Sequence, residues 1–339
     1  MNKTYIIAEA GVNHNGDIEL AKELILKAKE IGADCIKFQT FKTENLITPD
    51  APKANYQLKT TNPKHSQFTM LKNLELSYSD FSILFEFCKK TGIDFISTPY
   101  NFEDVDFLDK LGVDCFKIAS GQLTELPFIK YIAKKNKKII LSSGMSNLAE
   151  IFEAVEIIKN HSTSGVSVLQ CTTNYPSEIE DANLNCIKII RASCDVKVGY
   201  SDHVIGNYAC FSAVALGATI IEKHFTLDKK MSGPDHLCSS DPSDFKELVL
   251  GIRNIEKSLG SSIKRANAAE LKNILGMKRS IVAKSDIKKG EIFNEHNLIF
   301  KRPNRGLDVN YYEHILGKKA LNDIKINEFI ELKKIQWTP

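Results

Sequence analysis

The 339-residue chain lacks the patterns that mark membrane, secreted and nucleic-acid-binding proteins. No apolar run approaches the roughly 20 residues that a membrane-spanning helix needs, and the first apolar stretch ends on Glu9 without a signal-peptide cleavage pattern. Lys and Arg number 45 against 42 Asp and Glu, and a net charge of +3 is too small to indicate nucleic-acid binding. We expect a soluble cytoplasmic protein with neither a nucleic-acid nor a membrane partner.

The eight cysteines lack a pairing pattern as well. None of them forms a CxxC pair, and most lie inside apolar segments. This distribution is typical of buried free thiols in a reducing compartment and argues against a disulfide framework.

What the chain does contain, over about its first 260 residues, is an alternation of short apolar runs with longer amphipathic ones. The longer runs, such as residues 17–33, place apolar residues at helical spacing. Glycines follow several of them where a helix is expected to end, at Gly32, Gly92, Gly112 and Gly217. The short runs are typical of strands buried on both faces, and they span 4–10, 34–40, 93–99, 114–120, 137–144, 166–172, 196–202 and 218–224.

Eight strands alternating with helices predict a (β/α)8 TIM barrel over residues 1–260, because that fold takes about 250 residues. An open doubly wound sheet is the alternative. It has no reason to stop at eight repeats, and the first strand here is not followed by a GxGxxG turn. We therefore favour the barrel.

Three segments fall outside the repeat. Residues 41–77 form a long Pro-containing connection, which is typical of a lid or binding loop. Residues 261–278 are polar and without a clear strand, which indicates a linker. Residues 279–339 contain short strand patterns broken by turn signals and predict a small, largely β domain.

The carboxyl ends of the predicted strands are unusually polar. In a barrel these ends meet at one mouth, where the working residues of such folds lie. Burying a lone ion in a strand costs on the order of several kcal/mol, so charged residues there must be paired or used. The polar ends offer Glu9, Lys37, Gln39, Thr98, Lys117, Ser120, Ser142, Ser143, Thr172, Thr173, Ser201, Asp202, His203, Glu222 and His224.

Functional and structural interpretations of these residues compete. Lys37 and Lys117 with nearby hydroxyls indicate a phosphate site, whereas Glu9 and Lys37 alone are also compatible with a structural ion pair. His203 and His224 on adjacent strand ends are typical of a divalent-metal pair completed by water or substrate. The alternative is two hydrogen-bonded histidines without metal.

Three more residues lie near the predicted mouth. His14 follows the first strand and is either a ligand or a neighbour of a helix cap. Asp235 and His236 follow a Gly-Pro turn after the last strand, so we expect the loop to present both to substrate.

A phosphate site, a divalent metal and no Gly-rich cofactor loop indicate lyase or transferase chemistry on a phosphorylated small molecule. The reaction is either an aldol-type addition to a metal-polarised carbonyl or the formation of a lysine Schiff base. The second mechanism requires a lowered pKa at Lys37 or Lys117, and the residues alone leave both mechanisms open.

The strand ends also carry a family signature. The segments are IIAEAGVNHNG, IKFQTF, FISTPY, FKIASGQ, IILSSGM, CTTNYPS, VGYSDH and IEKHFTLDKKMSGPDH, with IKKGEIF and KRPNRG later in the chain. Along nearly the whole chain they resemble the sialic acid synthase family, which includes N-acetylneuraminate and N,N'-diacetyllegionaminate synthases. The resemblance implies a TIM barrel followed by a small antifreeze-like (SAF, β-clip) domain at 279–339. It also implies a homodimer in which that domain of one subunit caps the barrel of the other.

The reaction that the resemblance implies is condensation of phosphoenolpyruvate with N-acetylmannosamine, which gives a nine-carbon 2-keto sugar acid and phosphate with cleavage of a C–O bond. The alternative within the family is an N,N'-diacetyllegionaminate synthase, whose sugar is 2,4-diacetamido-2,4,6-trideoxymannose. His203 and His224 are expected to bind Mn²⁺, with Mg²⁺ or Co²⁺ as substitutes, so that the metal polarises the sugar aldehyde.

The resemblance assigns roles residue by residue. The implied catalytic residues are Glu9, Lys37, Lys117, His203 and His224. The residues implied to contact phosphoenolpyruvate or the sugar are Gln39, Thr98, Ser120, Gln122, Ser142, Thr173, Tyr175, Ser201, Asp235 and Arg302. Of these, Arg302 belongs to the small domain and is expected to reach the sugar N-acetyl group of the partner subunit.

Three positions depart from the family pattern. Gln122 stands where the family has Glu, and because an amide both donates and accepts, it is expected to alter recognition of a sugar substituent. Thr173 replaces a frequent Asn, and Gln170 replaces a frequent His. An inactive sugar-binding barrel is the alternative from a different class, and Gln122 is the single feature in its favour.

Overall fold

The structure is a computed structural model that describes residues 3–62 and 64–337. The chain divides into two compact units, Met1–Gly260 and Ser261–Pro339. Each unit has a hydrophobic core of its own.

Eight parallel strands close into a barrel in the first unit, in chain order, with the last strand paired to the first. This confirms the predicted (β/α)8 architecture, and each of the predicted apolar runs contains one strand. The strands are β1 (Tyr5–Gly11), β2 (Cys35–Thr40), β3 (Asp94–Pro99), β4 (Cys115–Ile118), β5 (Lys138–Ser142), β6 (Val166–Cys171), β7 (Lys197–Asp202) and β8 (Ile220–His224).

Helices connect the strands and surround the barrel. They are α1 (Ile18–Glu30), α2 (Thr43–Leu46), α3 (Asn55–Thr60), α4 (Gln67–Lys72), α5 (Tyr78–Thr91), α6 (Phe102–Leu111), α7 (Leu126–Ala133), α8 (Leu148–His161), α9 (Cys186–Cys194), α10 (Tyr208–Ala215) and α11 (Pro242–Leu259). The short helices α2 to α4 all lie in the connection between β2 and α5.

Side chains on the strands alternate between the barrel interior and the layer under the helices. On β1, Ile6 and Ala8 pack outward into the main core, whereas Ile7 packs inward. Polar residues take the interior positions nearer the carboxyl ends, so an apolar floor supports a polar mouth. That floor consists of Ile7, Cys35, Ile96, Cys115, Ile140, Leu169 and Ile220.

Left-handed glycines follow four of the barrel helices as the sequence predicted, at Gly32, Gly92, Gly112 and Gly217. Gly92 follows α5 with φ 73°, and its N–H donates to the Cys88 carbonyl. Gly112 ends α6 in the same way with φ 92°. A left-handed residue of this kind favours glycine because it has no Cβ, and it turns the chain directly into the next strand.

The predicted lid at 41–77 contains the three short helices α2, α3 and α4. Phe41, Met70 and Leu74 pack with Val12 in a small apolar cluster above the barrel core. The Thr60 hydroxyl donates to the Pro234 carbonyl at 3.2 Å, which connects this segment to the loop after β8.

The second unit contains two antiparallel strand pairs. Its elements are α12 (Ala268–Met277), β9 (Ser280–Ala283), β10 (Leu298–Lys301), α13 (Tyr312–Ile315), β11 (Lys319–Ala320) and β12 (Ile335–Gln336). Helix α12 lies in the segment that the sequence predicted as a linker. Asn267 and Glu270 cap its start reciprocally, which explains how a helix forms in so polar a stretch.

Within the described residues, no helix is both long and apolar enough to cross a membrane. The eight cysteines are free thiols; Cys186 and Cys238 are half-buried and the others are buried.

Candidate active site

A cavity of about 420 Å³ opens at the carboxyl ends of the barrel strands. Its size suits a small-molecule ligand, since such pockets span roughly 300–1,000 Å³. It brings together every residue of the barrel that the resemblance assigned to the site. These are Glu9, Lys37, Gln39, Thr98, Lys117, Ser120, Gln122, Ser142, Thr173, Tyr175, Ser201, His203, His224 and Asp235.

Four ionisable side chains meet in the cavity, and each is almost fully buried. Lys37 Nζ lies 2.8 Å from Glu9 Oε2 and 3.8 Å from Glu222 Oε2. Lys117 Nζ lies 3.8 Å from Glu222 Oε1. Glu222 therefore stands between the two ammonium groups, and the ion pair of Glu9 and Lys37 is part of the cavity wall.

The pKa values of Lys37 and Lys117 are shifted in opposite directions. Burial disfavours the ammonium form of both. At Lys37 the carboxylates of Glu222 and Glu9 outweigh burial and raise the pKa. At Lys117 burial prevails over the attraction of Glu222, and the neighbouring Lys37 adds to it, so the pKa is lowered.

Hydroxyl groups approach these charges from several strands. Lys117 Nζ donates to Ser142 Oγ at 2.6 Å, and Ser201 Oγ donates to Glu222 Oε1 at 3.0 Å. Thr98 Oγ1 accepts from Lys37 Nζ at 3.4 Å. Two cations with hydroxyls beside them can bind a phosphate or a carboxylate.

A close backbone approach at Gly144 brings two more hydroxyls to the site. The Gly144 N–H donates to Ser120 Oγ at 3.0 Å. A Cβ at this position would lie 2.1 Å from Thr173 Oγ1, so the site requires glycine. Thr173 Oγ1 is buried and has no hydrogen-bond partner within 3–62 and 64–337, which leaves it available to a ligand.

The two imidazoles lie side by side at the mouth, with ring centres 5.4 Å apart. The Tyr175 ring packs 4.0 Å from His203 and 5.5 Å from His224. His203 Nδ1 lies 2.6 Å from the Thr172 carbonyl oxygen, so Nδ1 carries the proton and Nε2 keeps its lone pair. His224 Nδ1 lies 4.0 Å from Asp235 Oδ2 and, in the described part of the chain, has no hydrogen-bond partner.

These donors fit a divalent metal ion. A metal ligand must be a neutral imidazole, and burial holds the pKa of His224 well below its usual value. A ligating histidine typically donates its other N–H to a carbonyl, as His203 does to Thr172. Among the residues that the structure describes, no group of three or more His, Cys, Asp or Glu is placed to hold a metal. His203 and His224 would be the protein ligands of such an ion, and water or substrate would supply the rest.

Glu222 and Cys171 are among the cavity residues that received no role from the sequence. Glu222 was visible as a polar strand end, and its spacing of two from His224 would have placed both side chains on the interior face. Cys171 resembled any cysteine of an apolar strand, but its Sγ lies 4.0 Å from His203 Nδ1. Burial opposes protonation of the His203 ring. The nearby Cys171 sulfur outweighs the effect of burial, so the pKa of His203 is raised.

Gln122 uses both ends of its amide on the protein backbone. Oε1 accepts from the Ala119 N–H at 3.2 Å, and Nε2 donates to the Pro99 carbonyl at 3.0 Å. The side chain thus ties the end of β4 to the end of β3 instead of directing its amide at a ligand. Gln170 acts similarly, since its Nε2 donates to the Ala182 carbonyl at 3.2 Å.

His14 and His236 do not line the cavity. His14 Nδ1 accepts from the Gly16 N–H at 3.1 Å, and burial lowers the pKa of its ring to about 4. His236 lies with Nδ1 2.7 Å from Thr226 Oγ1 and Nε2 3.2 Å from Asn15 Oδ1. The expectation that His236 contacts substrate does not match the structure, because its ring lies outside the cavity wall and both of its nitrogens contact protein side chains.

Arg302 lies in the second unit, directly after β10. Its Nε donates to the Met277 carbonyl at 2.9 Å. Its contact with the sugar of a partner subunit stays a prediction, as does the swapped dimer.

Comparisons with known proteins agree with this geometry. A model of the NeuB family matches residues 24–264, and a model of the SAF domain matches residues 278–336. Over 332 residues the chain is 50% identical to the N,N'-diacetyllegionaminic acid synthase of Campylobacter jejuni, covering 97% of this chain and 99% of that protein. It is 42% identical over 319 residues to a protein of the same name from Legionella pneumophila, covering 93% and 90% respectively.

A solved structure shares the architecture. The N-acetylneuraminic acid synthetase of Leptospira borgpetersenii, in complex with citrate, matches with a TM-score of 0.73 at 33% identity. The match covers 80% of this chain and 90% of that one. The relatives named here are sialic and legionaminic acid synthases, and the chain belongs to the NeuB family.

Proposed function

We propose that the chain is a phosphoenolpyruvate-dependent transferase that makes N,N'-diacetyllegionaminate from 2,4-diacetamido-2,4,6-trideoxymannose. The observation that carries the proposal is the cavity, in which two buried lysines with hydroxyls adjoin two imidazoles. Identities of 50% and 42% to two N,N'-diacetyllegionaminic acid synthases favour this sugar over N-acetylmannosamine, which the sequence analysis placed first.

Phosphoenolpyruvate carries a carboxylate and a phosphate, so its site needs two cations and several donors. Lys117 with Ser142 forms one hydrogen-bonded pair and Lys37 with Thr98 forms another. Ser120 accepts from a backbone N–H and keeps its own proton to donate to a phosphate oxygen. These groups hold the phosphoenolpyruvate with its enol carbon facing the sugar.

The sugar binds at the imidazole side of the cavity. Mn²⁺ held by His203 and His224, or Mg²⁺ or Co²⁺ in its place, would act as a Lewis acid on the sugar aldehyde. Tyr175 packs against both rings and restricts their orientation. Asp235 lies beside His224 and accepts hydrogen bonds from sugar hydroxyls.

In the reaction, C3 of phosphoenolpyruvate forms a bond to the aldehyde carbon. The aldehyde oxygen takes one proton of the water that adds to C2, and the other proton of that water leaves with phosphate. The electron pair withdrawn from the enol leaves an oxocarbenium at C2, which the carboxylates of Glu9 and Glu222 stabilise. Glu9, held by Gln39 at 3.1 Å, orients the water that adds to C2. Collapse of the adduct breaks the C2–O bond, and phosphate and the 2-keto acid leave. Orientation of the two reactants supplies much of the rate.

A Schiff base on Lys117 is a second candidate mechanism, because burial lowers the pKa of that lysine. Treatment with pyruvate and borohydride separates the two. Condensation without a covalent intermediate predicts no mass increase, whereas a reduced pyruvyl adduct on Lys117 would contradict it.

The sugar is tested by phosphate release from phosphoenolpyruvate with Mn²⁺, run in parallel with the diacetamido sugar and with N-acetylmannosamine. We expect preference for the diacetamido sugar, and His224→Ala as the control is expected to release no phosphate with either sugar. Preference for N-acetylmannosamine would reassign the product to N-acetylneuraminate. Phosphate release with neither sugar from a folded protein would favour the inactive sugar-binding barrel.

We also propose that the protein acts as a homodimer. Large apolar side chains are exposed in the loops around the barrel mouth and at the start of α10, including Met145 at 72%, Ile205 at 69%, Tyr208 at 82% and Leu237 at 64%. Clustered exposed apolar groups of this kind favour an interface with another molecule. The SAF domain of a second copy would cover this rim and bring Arg302 to the sugar.

A further inference from the structure

Behind the two imidazoles, on the outer side of the barrel, lies a buried ion pair that the proposed mechanism does not use. Asp202 ends β7 and directly precedes His203. Lys223 lies on β8 and directly precedes His224. Asp202 and Lys223 are register partners across the two strands. Lys223 Nζ lies 2.5 Å from Asp202 Oδ2. Because strand side chains alternate, the ion pair faces the helix layer while the imidazoles face the cavity.

Several hydrogen bonds hold the ion pair in place. Asp202 Oδ1 accepts from the Tyr200 hydroxyl at 2.9 Å and from the Val204 N–H at 3.0 Å. Asp202 Oδ2 accepts from Cys210 Sγ of α10 at 3.1 Å, in addition to Lys223. Lys223 Nζ also donates to the Val204 carbonyl at 2.7 Å. One network therefore joins β7, β8 and α10.

This network holds the backbone on both sides of His203. Both backbone groups of Val204 bond to the ion pair, so His203 lies between two anchored residues. The ammonium of Lys223 ties that same backbone to the strand that carries His224. His224 Nδ1 has no hydrogen-bond partner of its own in the described ranges, so the backbone of β8 and the packing of Tyr175 position its ring.

A gain in folding stability does not explain well why an ion pair is buried here. Removing two charges from water offsets most of their attraction, and a well-packed apolar pair often stabilises a protein as well or better. What this hydrogen-bonded pair does provide is a defined geometry, because partners on β7, β8 and α10 hold its two side chains.

We propose that Asp202 and Lys223 are a positioning pair that fixes the distance between the imidazoles of His203 and His224 so that both reach one divalent ion. The inference rests on the proposed function, since it takes these two imidazoles as the metal ligands.

The test compares Mn²⁺ affinity in the full chain and in the variant D202N/K223M, by calorimetric titration. The double variant removes both charges and keeps similar side-chain volumes, whereas Lys223→Met alone would bury a lone carboxylate. We expect Mn²⁺ binding to weaken by about 10- to 100-fold, as when the outer partners of metal-bound histidines are removed. Phosphoenolpyruvate affinity in metal-free buffer is expected to stay unchanged, because Lys37, Lys117 and Ser142 lie on other strands.

A matched control uses a second ion pair at the opposite end of the barrel. Arg253 NH2 lies 2.7 Å from Asp34 Oδ2 and joins α11 to the start of β2. The variant D34N/R253M removes the same number of charges, and we expect it to unfold more easily while its Mn²⁺ affinity stays that of the wild type.

The outcomes separate the inference from the proposed function. Wild-type Mn²⁺ affinity in folded D202N/K223M would overturn the inference alone, as would an equal loss in both double variants. Failure of the wild type to bind Mn²⁺ would overturn the metal assignment and the inference with it. Tyr200→Phe removes one donor to Asp202 and is expected to weaken Mn²⁺ binding by a smaller factor. This milder variant decides the question if D202N/K223M does not fold, and unchanged affinity in it would then count against the inference.

Discussion

Gln122 lies at a position where a carboxylate would face a carbonyl oxygen, because its Nε2 donates to the Pro99 carbonyl. We expect Gln122→Glu to lower the free energy of unfolding by about 1–3 kcal/mol at pH 8, the usual cost of an unsatisfied buried group. The deficit should shrink towards pH 5 as the new carboxyl takes up a proton and donates again. Urea unfolding at both pH values measures it.

The control for that prediction is Gln122→Met. Its loss of unfolding free energy relative to the wild type should not depend on pH. Wild-type stability in Gln122→Glu would contradict the account, since it would mean that the side chain turns into the cavity and is free to contact the sugar.

His14 makes stability depend on pH. Burial lowers its pKa to about 4 from the ordinary 6.5, so the unfolded chain binds the proton first as pH falls. The folded state therefore loses stability between about pH 6.5 and pH 4, by about 2 kcal/mol from this group at pH 5. Between pH 7 and pH 5, the unfolding free energy of His14→Gln should fall by about 2 kcal/mol less than that of the wild type. Urea unfolding at the two pH values measures the difference. Parallel losses in the two proteins would show that His14 does not contribute.

At the scale of elements, two glycines should differ in how much they tolerate a methyl group. On β7, a Cβ at Gly199 would lie 2.5 Å from the Ile220 carbonyl oxygen and 2.6 Å from Leu169 Cδ2. At Gly92 the atom nearest to an added Cβ is Lys29 Nζ at 3.6 Å, so only the left-handed backbone conformation disfavours alanine there.

We expect Gly92→Ala to cost about 1–2 kcal/mol of unfolding free energy and Gly199→Ala about 3 kcal/mol or more, since backbone of β8 must move. Unfolding curves of the two variants and the wild type measure the difference. Equal costs would mean that β7 and β8 pack less tightly than the distances indicate.

The sequence predicts the strands well because strands buried on both faces are dense in apolar residues. Once the strands are arranged in a barrel, the polar residues at their carboxyl ends must meet at one mouth. The short helices α2 to α4 and α12 carry no such signal, because tertiary contacts and caps, such as Asn267 with Glu270, form them. Only the folded structure reveals that Gln122 bonds backbone groups and that His236 is buried, since both depend on residues distant in sequence.

For the whole molecule, the proposed swapped homodimer predicts complementation between two inactive chains. His224→Ala damages the barrel, and Arg302→Ala damages the SAF domain. In a mixed dimer, the intact barrel of one chain would receive the intact Arg302 of the other. Co-expression should therefore restore about one quarter of wild-type activity, because half of randomly paired dimers are mixed and each has one complete site.

Phosphate release by the purified mixture measures that recovery. Each variant expressed alone provides the baseline, and recovery no greater than the sum of the two would contradict the swapped arrangement.

The most direct test of the proposed reaction follows the oxygen that bridges C2 and phosphorus in phosphoenolpyruvate. With ¹⁸O at that position, Mn²⁺ and the diacetamido sugar, collapse of the C2 adduct with C–O cleavage predicts that all of the label appears in inorganic phosphate. Retention of the label in the nine-carbon acid would mean that the P–O bond breaks instead, and the mechanism assigned to this cavity would be wrong.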